Sequence, residues 1–405
     1  MAPVRIVEPM PSMPTANALL LSEIFPPAIG GSGRLFWELL RRQPAGEFAV
    51  AASDVHLDEI EAPFPIFRWP MTLGDRGLRS WASLKYYFGL AKRVRRTMGE
   101  LGATMLHCGR NLPEGFVGYL ANKFYGIPYA FYTHGEDIGV SLRSREMAWM
   151  TRRVMGRAAA AIANSFNTQR CLIEDWSYPA EKTFVIQPGV DAALFAPVEP
   201  DPAIRAELGW TDRTVLLTVG RLQARKGHDR LLAALPAIRS KYPNVLYSIV
   251  GTGPEEAALE ARVERDGLSA CVQFLGAISD GAMKDCYRQC DLFVLPNREI
   301  DGDIEGFGMV LLEAQACGKP VIAGASGGTA ETMDAPSTGR VVNCDGHELL
   351  TEAILELLAD PQEMKAMGQR GRSWVEANFD WPKRAVHAAG VWRAIRERTA
   401  IAGRR

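Results

Sequence analysis

Glu305 and Glu313 flank seven residues, Gly306-Phe307-Gly308-Met309-Val310-Leu311-Leu312. The apolar run Met309–Cys317 reads as a helix, and Gly306 and Gly308 leave its first peptide N–H groups unobstructed. A helix start offers unpaired donors and the positive end of the helix dipole, which suits a diphosphate. Glu305 stands just ahead of those donors. Glu313, about one turn further in, suits hydrogen bonds from ribose hydroxyls. The bland alternative is a surface cap and a solvated helix glutamate, and the apolar filling between the two argues against it.

A second group is Val219-Gly220-Arg221-Leu222 followed by Arg225-Lys226-Gly227. Arg221 ends a strand and Lys226 opens the next helix. Cations at a helix start oppose the dipole unless an anion lies there. Arg221 and Lys226 together suit the charge that builds on a departing diphosphate, as metal ions do elsewhere. Taken alone, such a pair is an ordinary solvated turn. Beside the glutamate run on the same sheet edge it reads as an anion site.

Three further groups invite a chemical reading. His134 closes a strand in Thr133-His134-Gly135-Glu136-Asp137, where a lone histidine is commonly structural. Glu136 and Asp137 read as active-site or acceptor groups, with helix capping as the alternative for Asp137. Asp301-Gly302-Asp303 looks like a metal-binding carboxylate pair. Since Arg221 and Lys226 already supply positive charge, the expectation is an acidic loop at a cleft mouth and no metal. Cys286 and Cys290 are four apart without a second Cys or His pair, so they read as buried thiols and not as a zinc site.

These groups need strand ends to hold them. Short apolar runs alternate with amphipathic stretches along most of the chain, the pattern of βα units around parallel sheets. Expected strands are Ala18–Phe25, Met105–Cys108, Tyr129–Thr133, Ala159–Asn164, Thr214–Val219, Leu246–Val250, Val272–Phe274, Leu292–Leu295 and Pro320–Ala323. Helices are expected near Leu35–Arg42 and over Trp381–Arg398, with a loose Arg-rich tail after Arg393. Proline and glycine punctuate Gln187–Pro200, which reads as a linker. At 405 residues the chain exceeds a single core. The expected architecture is α/β with two Rossmann-like doubly wound domains, 1–195 and 196–380, followed by a terminal helix over 381–405. In such sheets ligands lie beyond the carboxyl ends of the strands.

Bulk composition narrows the partners. A formal net charge of -1 gives no global attraction to nucleic acid. Seven scattered cysteines fit a reducing cytoplasm better than a disulfide framework. Prolines interrupt the N-terminal stretch, which lacks the charged and apolar regions of a signal peptide. No run reaches the ~18 apolar residues of a spanning helix.

The motifs FPPAIGGSGR, THGED, ANS, PGVD, VGRL, KG, VGTGPE, EGFGMVLLEAQACGKPVIA and SGGTAE, spread over essentially the whole chain, resemble those of the retaining glycosyltransferases of family 4. That large group of GT-B architecture includes sucrose synthases and phosphatidylinositol mannosyltransferases. The resemblance implies a nucleotide-sugar donor, with GDP- and UDP-sugars both open, and no further cofactor. It implies that Arg221 and Lys226 bind the donor diphosphate, and that Glu305 lies against the donor sugar. Phe307, Gly308, Met309 and Val310 would line the donor, and Glu313 would reach the ribose. Gly30 and Gly31 would close over the diphosphate and sugar, and Gly276 to Ile278 would hold the base through the backbone. His134 would lie beside the reacting sugar, and the terminal helix would cross back to the first domain. Front-face attack, with a leaving phosphate oxygen taking the acceptor's proton, is the implied route.

The acceptor is not identified by these motifs. Segment 68–98 carries eight Lys or Arg against one acid, Asp75, with Trp69, Trp81, Tyr86, Tyr87 and Phe88 interleaved. That mixture suits the headgroup layer of an anionic membrane, consistent with a lipid-linked acceptor and a peripheral place on the inner face. An amphipathic helix with an aromatic core face is the other reading. A nucleotide-sugar epimerase of the same architecture is the alternative enzyme, and a non-catalytic nucleotide-binding partner a third possibility. A dinucleotide dehydrogenase is disfavoured, because Gly30-Gly31-Ser32-Gly33 is not the dinucleotide fingerprint.

Overall fold

The computed structural model describes residues 15–27, 30–55, 60–71, 77–78 and 80–402. Thirteen strands are found among them: β1 (Ala18–Ser22), β2 (Phe48–Ser53), β3 (Ile66–Trp69), β4 (Met105–Cys108), β5 (Tyr129–Thr133), β6 (Ala160–Ala163), β7 (Thr183–Val185), β8 (Thr214–Val219), β9 (Val245–Val250), β10 (Val272–Gly276), β11 (Leu292–Leu295), β12 (Val321–Gly324) and β13 (Arg340–Val342). They form a seven-stranded sheet, ordered β3-β2-β1-β4-β5-β6-β7, and a six-stranded sheet, ordered β10-β9-β8-β11-β12-β13. Every pairing with a described register is parallel. The doubly wound α/β expectation holds for both sheets.

Parallel strands covered on both faces need apolar residues on both sides. β8 shows this directly. Leu216 joins one buried cluster, with Leu231, Leu235 and Ile354, while Val215, Leu217 and Val219 join another, with Leu311, Leu312 and Phe293. Cys286 and Cys290 are buried in that second cluster, and burial pushes both thiols up.

β2, β3, β7 and β13 fall outside the strands that the apolar runs pick out. Phe48-Ala-Val-Ala-Ala-Ser53 is rich in alanine, a helix former, and becomes a strand because β1 and β3 flank it on either side. β3, β7 and β13 have three or four residues each, too short for a period to register. β1 stops at Ser22 and does not reach Phe25.

The chain packs into two compact units. One takes the described residues up to Tyr132, Arg145–Ala161 and the chain from Ala389 onward; the other takes Thr133–Ser144 and Ile162–Ala388. The terminal helix, Trp381–Ala402, is longer than its apolar pattern implies, and the expected loose tail after Arg393 is corrected. Ile395 is buried, and Arg396 pairs with Glu47 at 2.7 Å, which holds those turns in place. Within the first unit Trp392 donates its indole N–H to the Tyr132 hydroxyl at 2.6 Å and packs edgewise on Phe48. Residues 403–405, Ala28 and Ile29 of the FPPAIGGSGR motif, and Asp75 in segment 68–98 lie outside the described residues. Among those described, no helix is long and apolar enough to cross a membrane.

Candidate active site

The second unit gathers its charged chemistry at the carboxyl ends of β8 and β11. After β8 the chain turns through Gly220 and a short 3-10 turn, Ala224–Lys226, and reaches Gly227 at φ 74. A Cβ on Gly227 would stand 1.8 Å from the Pro296 carbonyl oxygen, so only glycine passes here. That tight passage directs both Arg225 and Lys226 inward. Lys226 Nζ and Arg225 Nη1 each lie 2.5 Å from Glu305 Oε2. Arg225 also reaches Glu136 through Nη2 at 3.1 Å, and its Nε is 3.1 Å from Asp303 Oδ1.

Burial alone would raise the Glu305 carboxyl, but Lys226 and then Arg225 outweigh it and bring its pKa down to about 2. Glu305 therefore carries its charge throughout the physiological range. Burial also works against the charge of Arg225, and Glu305, Glu136 and Asp303 more than compensate. Asp303 has the opposite balance, with burial holding its carboxyl above the ordinary range despite Arg225.

Arg225 is the residue that sequence reasoning missed. Arg221, expected to act beside Lys226, is exposed, whereas Arg225 is 7% exposed and sits against Glu305. The signal was present as two consecutive cations, but nothing in their spacing says which of 221 and 225 turns inward.

The loop carrying Glu305 is clasped by backbone on two sides. A Cβ on Gly306 would lie 1.8 Å from the His134 carbonyl oxygen, and one on Gly327 would lie 1.8 Å from that of Glu305. Gly308, at φ 92, precedes the helix Met309–Ala316 and gives it no side-chain cap. Phe307 is buried against Phe379, while Met309 and Val310 are half-buried. Glu313 is 4% exposed and accepts a 2.7 Å hydrogen bond from the Tyr287 hydroxyl.

His134 follows β5, half-buried. Its N–H donates to Asp137 Oδ1 at 3.0 Å, and the same oxygen accepts from the Thr133 hydroxyl and the Ile138 N–H. Asp137 is thus a tie for the turn that carries His134. Asn164 of the Ala-Asn-Ser motif donates to the His134 carbonyl at 3.1 Å. Glu331 of SGGTAE accepts the N–H groups of Phe166 and Asn167 and so caps the helix Phe166–Glu174.

Asp301 and Gly302 both have positive φ, and Arg143 donates to the carbonyls of Ile300 and Asp301. The acidic loop is therefore held by cations at both ends. Among the described residues no three His, Cys, Asp or Glu side chains are placed to hold a metal.

Gly276 ends β10 at φ 63, and its carbonyl accepts the Gly251 N–H at 2.8 Å. Ile278 packs on the cluster that also holds Phe307 and Leu311. In the first unit, Gly30 is extended and Gly31 opens the helix Gly31–Leu40 without a side-chain cap. The helix Trp81–Leu101 buries Tyr87, Leu90, Val94 and Met98 and turns Lys85, Lys92, Arg95 and Arg96 outward. The reading of an amphipathic helix with an aromatic core face thus holds for this helix, whose buried face carries Tyr87.

Two family models match successive parts of the chain. Residues 29–194 match the model described as Glycosyltransferase Family 4, and residues 200–374 match Glycosyl transferases group 1. The GDP-mannose-dependent monoacylated alpha-(1-6)-phosphatidylinositol monomannoside mannosyltransferase of Corynebacterium glutamicum is 32% identical, over 90% of this chain and 94% of that protein. The GDP-mannose-dependent alpha-(1-6)-phosphatidylinositol monomannoside mannosyltransferase of Mycolicibacterium smegmatis is 33% identical, over 76% of this chain and 81% of its own. Sucrose-phosphate synthase of Thermosynechococcus elongatus superposes with a TM-score of 0.79 at 23% identity, covering 94% of this chain and 99% of that one. HepE of Anabaena, solved in complex with UDP, does so with a TM-score of 0.76 at 21% identity, covering 93% and 100%. With two parallel sheets, matches along both halves and relatives aligned nearly end to end, the chain is a glycosyltransferase of GT-B fold belonging to family 4.

Proposed function

We propose that this enzyme moves a hexosyl group, with retention, from a nucleotide-diphosphate sugar to the hydroxyl of a lipid-linked or envelope-glycan acceptor. The observation that carries the reading is the buried cluster in which Lys226 and Arg225 share one oxygen of Glu305 beside the uncapped start of Met309–Ala316. The names of the relatives make GDP-mannose the first donor to test and a phosphatidylinositol mannoside the first acceptor.

In this reading the diphosphate rests on the N–H groups of Met309 and Val310, with Lys226 and Arg221 neutralising its charge. Gly276 to Ile278 hold the base, Glu313 the ribose, and Glu305 a sugar hydroxyl, with His134 beside the sugar. The bond from C1 to the phosphate oxygen breaks, and its electron pair leaves on the diphosphate. The acceptor oxygen bonds C1 on the same face, and its proton passes to that phosphate oxygen. Positioning and electrostatics then carry the rate. Since cations already meet the leaving group, we expect chelators to leave turnover unchanged.

Assay of GDP-mannose, UDP-glucose and UDP-N-acetylglucosamine against phosphatidylinositol mannosides tests this directly. Transfer from one of them, giving the α-anomer by NMR from an α-donor, supports the reading. Absence of transfer from all three, or sugar isomerisation without an acceptor, overturns it and in the second case favours the epimerase.

The surface of the first unit supports a bilayer-bound acceptor. Trp81 is 88% exposed, and Phe88 (46%) lies tilted against Phe124 (51%) with ring centres 5.5 Å apart and Lys123 over the Phe124 ring. Exposed Lys85, Lys92, Arg95 and Arg96 lie on the same helix, while Arg93 sits over buried Trp69. Cations beside unburied rings suit an anionic interface. Flotation with anionic liposomes should recover the wild type and lose a variant with Lys85, Lys92, Arg93, Arg95 and Arg96 changed to Glu. Equal recovery of the two removes the membrane contact.

A further inference from the structure

Three loops meet on one planar group. Glu136 follows β5, Arg225 follows β8, and Asp303 and Glu305 follow β11, and all three carboxylates lie within 3.1 Å of the Arg225 guanidinium. The main chain of Arg225 is held as well. Its carbonyl accepts the Arg298 N–H at 2.8 Å, and Arg298 in turn grips Asp229 through both terminal nitrogens at 2.7 and 3.0 Å.

The charge balance separates Arg225 from Lys226. Lys226 faces one carboxylate, whereas Arg225 faces three and has little charge left for an incoming anion. Geometry separates them too. A guanidinium fork presents donors in a fixed plane, which orients a carboxylate in a way that an ammonium cannot. Both described bonds of Glu305 go to Oε2, so Oε1 is the oxygen turned away from the cations.

We propose that Arg225 is the positioning residue of this site: it fixes Glu305 so that Oε1 faces the donor sugar, and it ties that carboxylate to the Glu136 turn behind His134. The inference rests on the reading in which Glu305 touches the donor sugar, and it assigns Arg225 no contact with the diphosphate.

Calorimetry with GDP alone and kinetics with GDP-mannose, both on the full chain, test it. Arg225→Gln should bind GDP within about threefold of wild type, while Lys226→Gln loses about tenfold or more. Its kcat should fall about 100-fold with KM for the donor nearly constant, the mark of an interaction realised in the transition state. The acid limb of kcat should move toward neutrality, because Glu305 loses one of the cations that keep it ionised. Arg225→Lys should recover part of the rate.

GDP affinity that falls as far in Arg225→Gln as in Lys226→Gln overturns the proposal, and so does an unchanged kcat. If Arg225→Gln does not fold, Glu136→Gln and Asp303→Asn take its place; each should lower kcat several-fold at wild-type GDP affinity, and unaltered rates in both overturn it. Should Glu305→Gln and Lys226→Gln also leave transfer intact, the site reading itself has failed, and not only the role of Arg225.

Discussion

The turns after β1 and after β8 occupy equivalent places, since each strand is flanked by the next strand on one side and by the fourth on the other. Each turn leads to a helix preceded by glycine with no side-chain cap. Their chemistry differs sharply. Phe25 to Gly33 contains no charged residue, whereas Gly220 to Gly227 contains Arg221, Arg225 and Lys226. In the second turn two of the three cations, Arg225 and Lys226, are held by carboxylates. The same fold position is thus uncharged in one unit and charged in the other.

The largest effect should come from the charged turn. Lys226→Gln or Glu305→Gln should lower transfer by roughly 100- to 1,000-fold, as loss of a preorganised charge does in other active sites. The corresponding change at the uncharged turn, Ser32→Ala, should alter kcat by no more than about threefold. Steady-state rates for the three variants check this, and comparable losses at both turns would erase the contrast.

The two glycines differ next. At Gly227 a Cβ meets main-chain oxygen at 1.8 Å with φ 74, while at Gly30 it meets a side-chain methyl, Ile24 Cγ2, at 2.9 Å, in extended backbone. Gly227→Ala should therefore cost about 2 kcal/mol or more in denaturant unfolding, and Gly30→Ala about 1 kcal/mol or less. Equal losses would mean that strain is not what sets the charged turn apart.

A smaller effect is pH-dependent. His228, first in the helix after the charged turn, has its pKa brought down to about 4 by burial and then by Lys226. Its ring meets the Tyr247 hydroxyl at 2.9 Å, and that hydroxyl contacts Thr218 of β8. Between about pH 6.5 and 4 the unfolded chain takes up a proton that folded His228 does not, so stability falls as pH falls through that window. Burial and Arg396 hold His107 of the first unit at about 3, so it acts in the same direction. Unfolding at pH 7 and pH 5 should show a smaller loss in His228→Gln than in the wild type. Identical losses would remove His228 as a source.

Least affected should be the outer face of the helix Trp81–Leu101. Lys92→Glu or Arg95→Glu should change stability by no more than about 0.5 kcal/mol while weakening any lipid contact.

Much of this enzyme is legible in linear order because its motifs are local. A strand end, a glycine and a helix start are neighbours in the chain, so Lys226, Glu305, Gly306, Gly308 and His134 can be picked out as turn residues at sheet edges. Nine strands follow from apolar runs alone. The remaining four are short or alanine-rich, and only their neighbours in the sheet make them strands.

Contacts between distant segments are a different matter. Arg225 differs from Arg221 by the rotation of a 3-10 turn, and its three carboxylate partners are 78 to 89 residues away. Asp137 could be a chemical group or a tie, and the Thr133 hydroxyl and two peptide N–H groups decide for a tie. Glu331 caps a helix 164 residues earlier in the chain, and Glu313 takes its hydrogen bond from Tyr287. By itself, then, the order of residues determined which turns gather glycine and charge and that they sit on parallel sheets, since period and glycine placement act within a few residues. Which cation is buried, and which carboxylate it holds, was decided only in the tertiary structure. Burial and ion pairing depend on segments that meet solely when the sheet assembles.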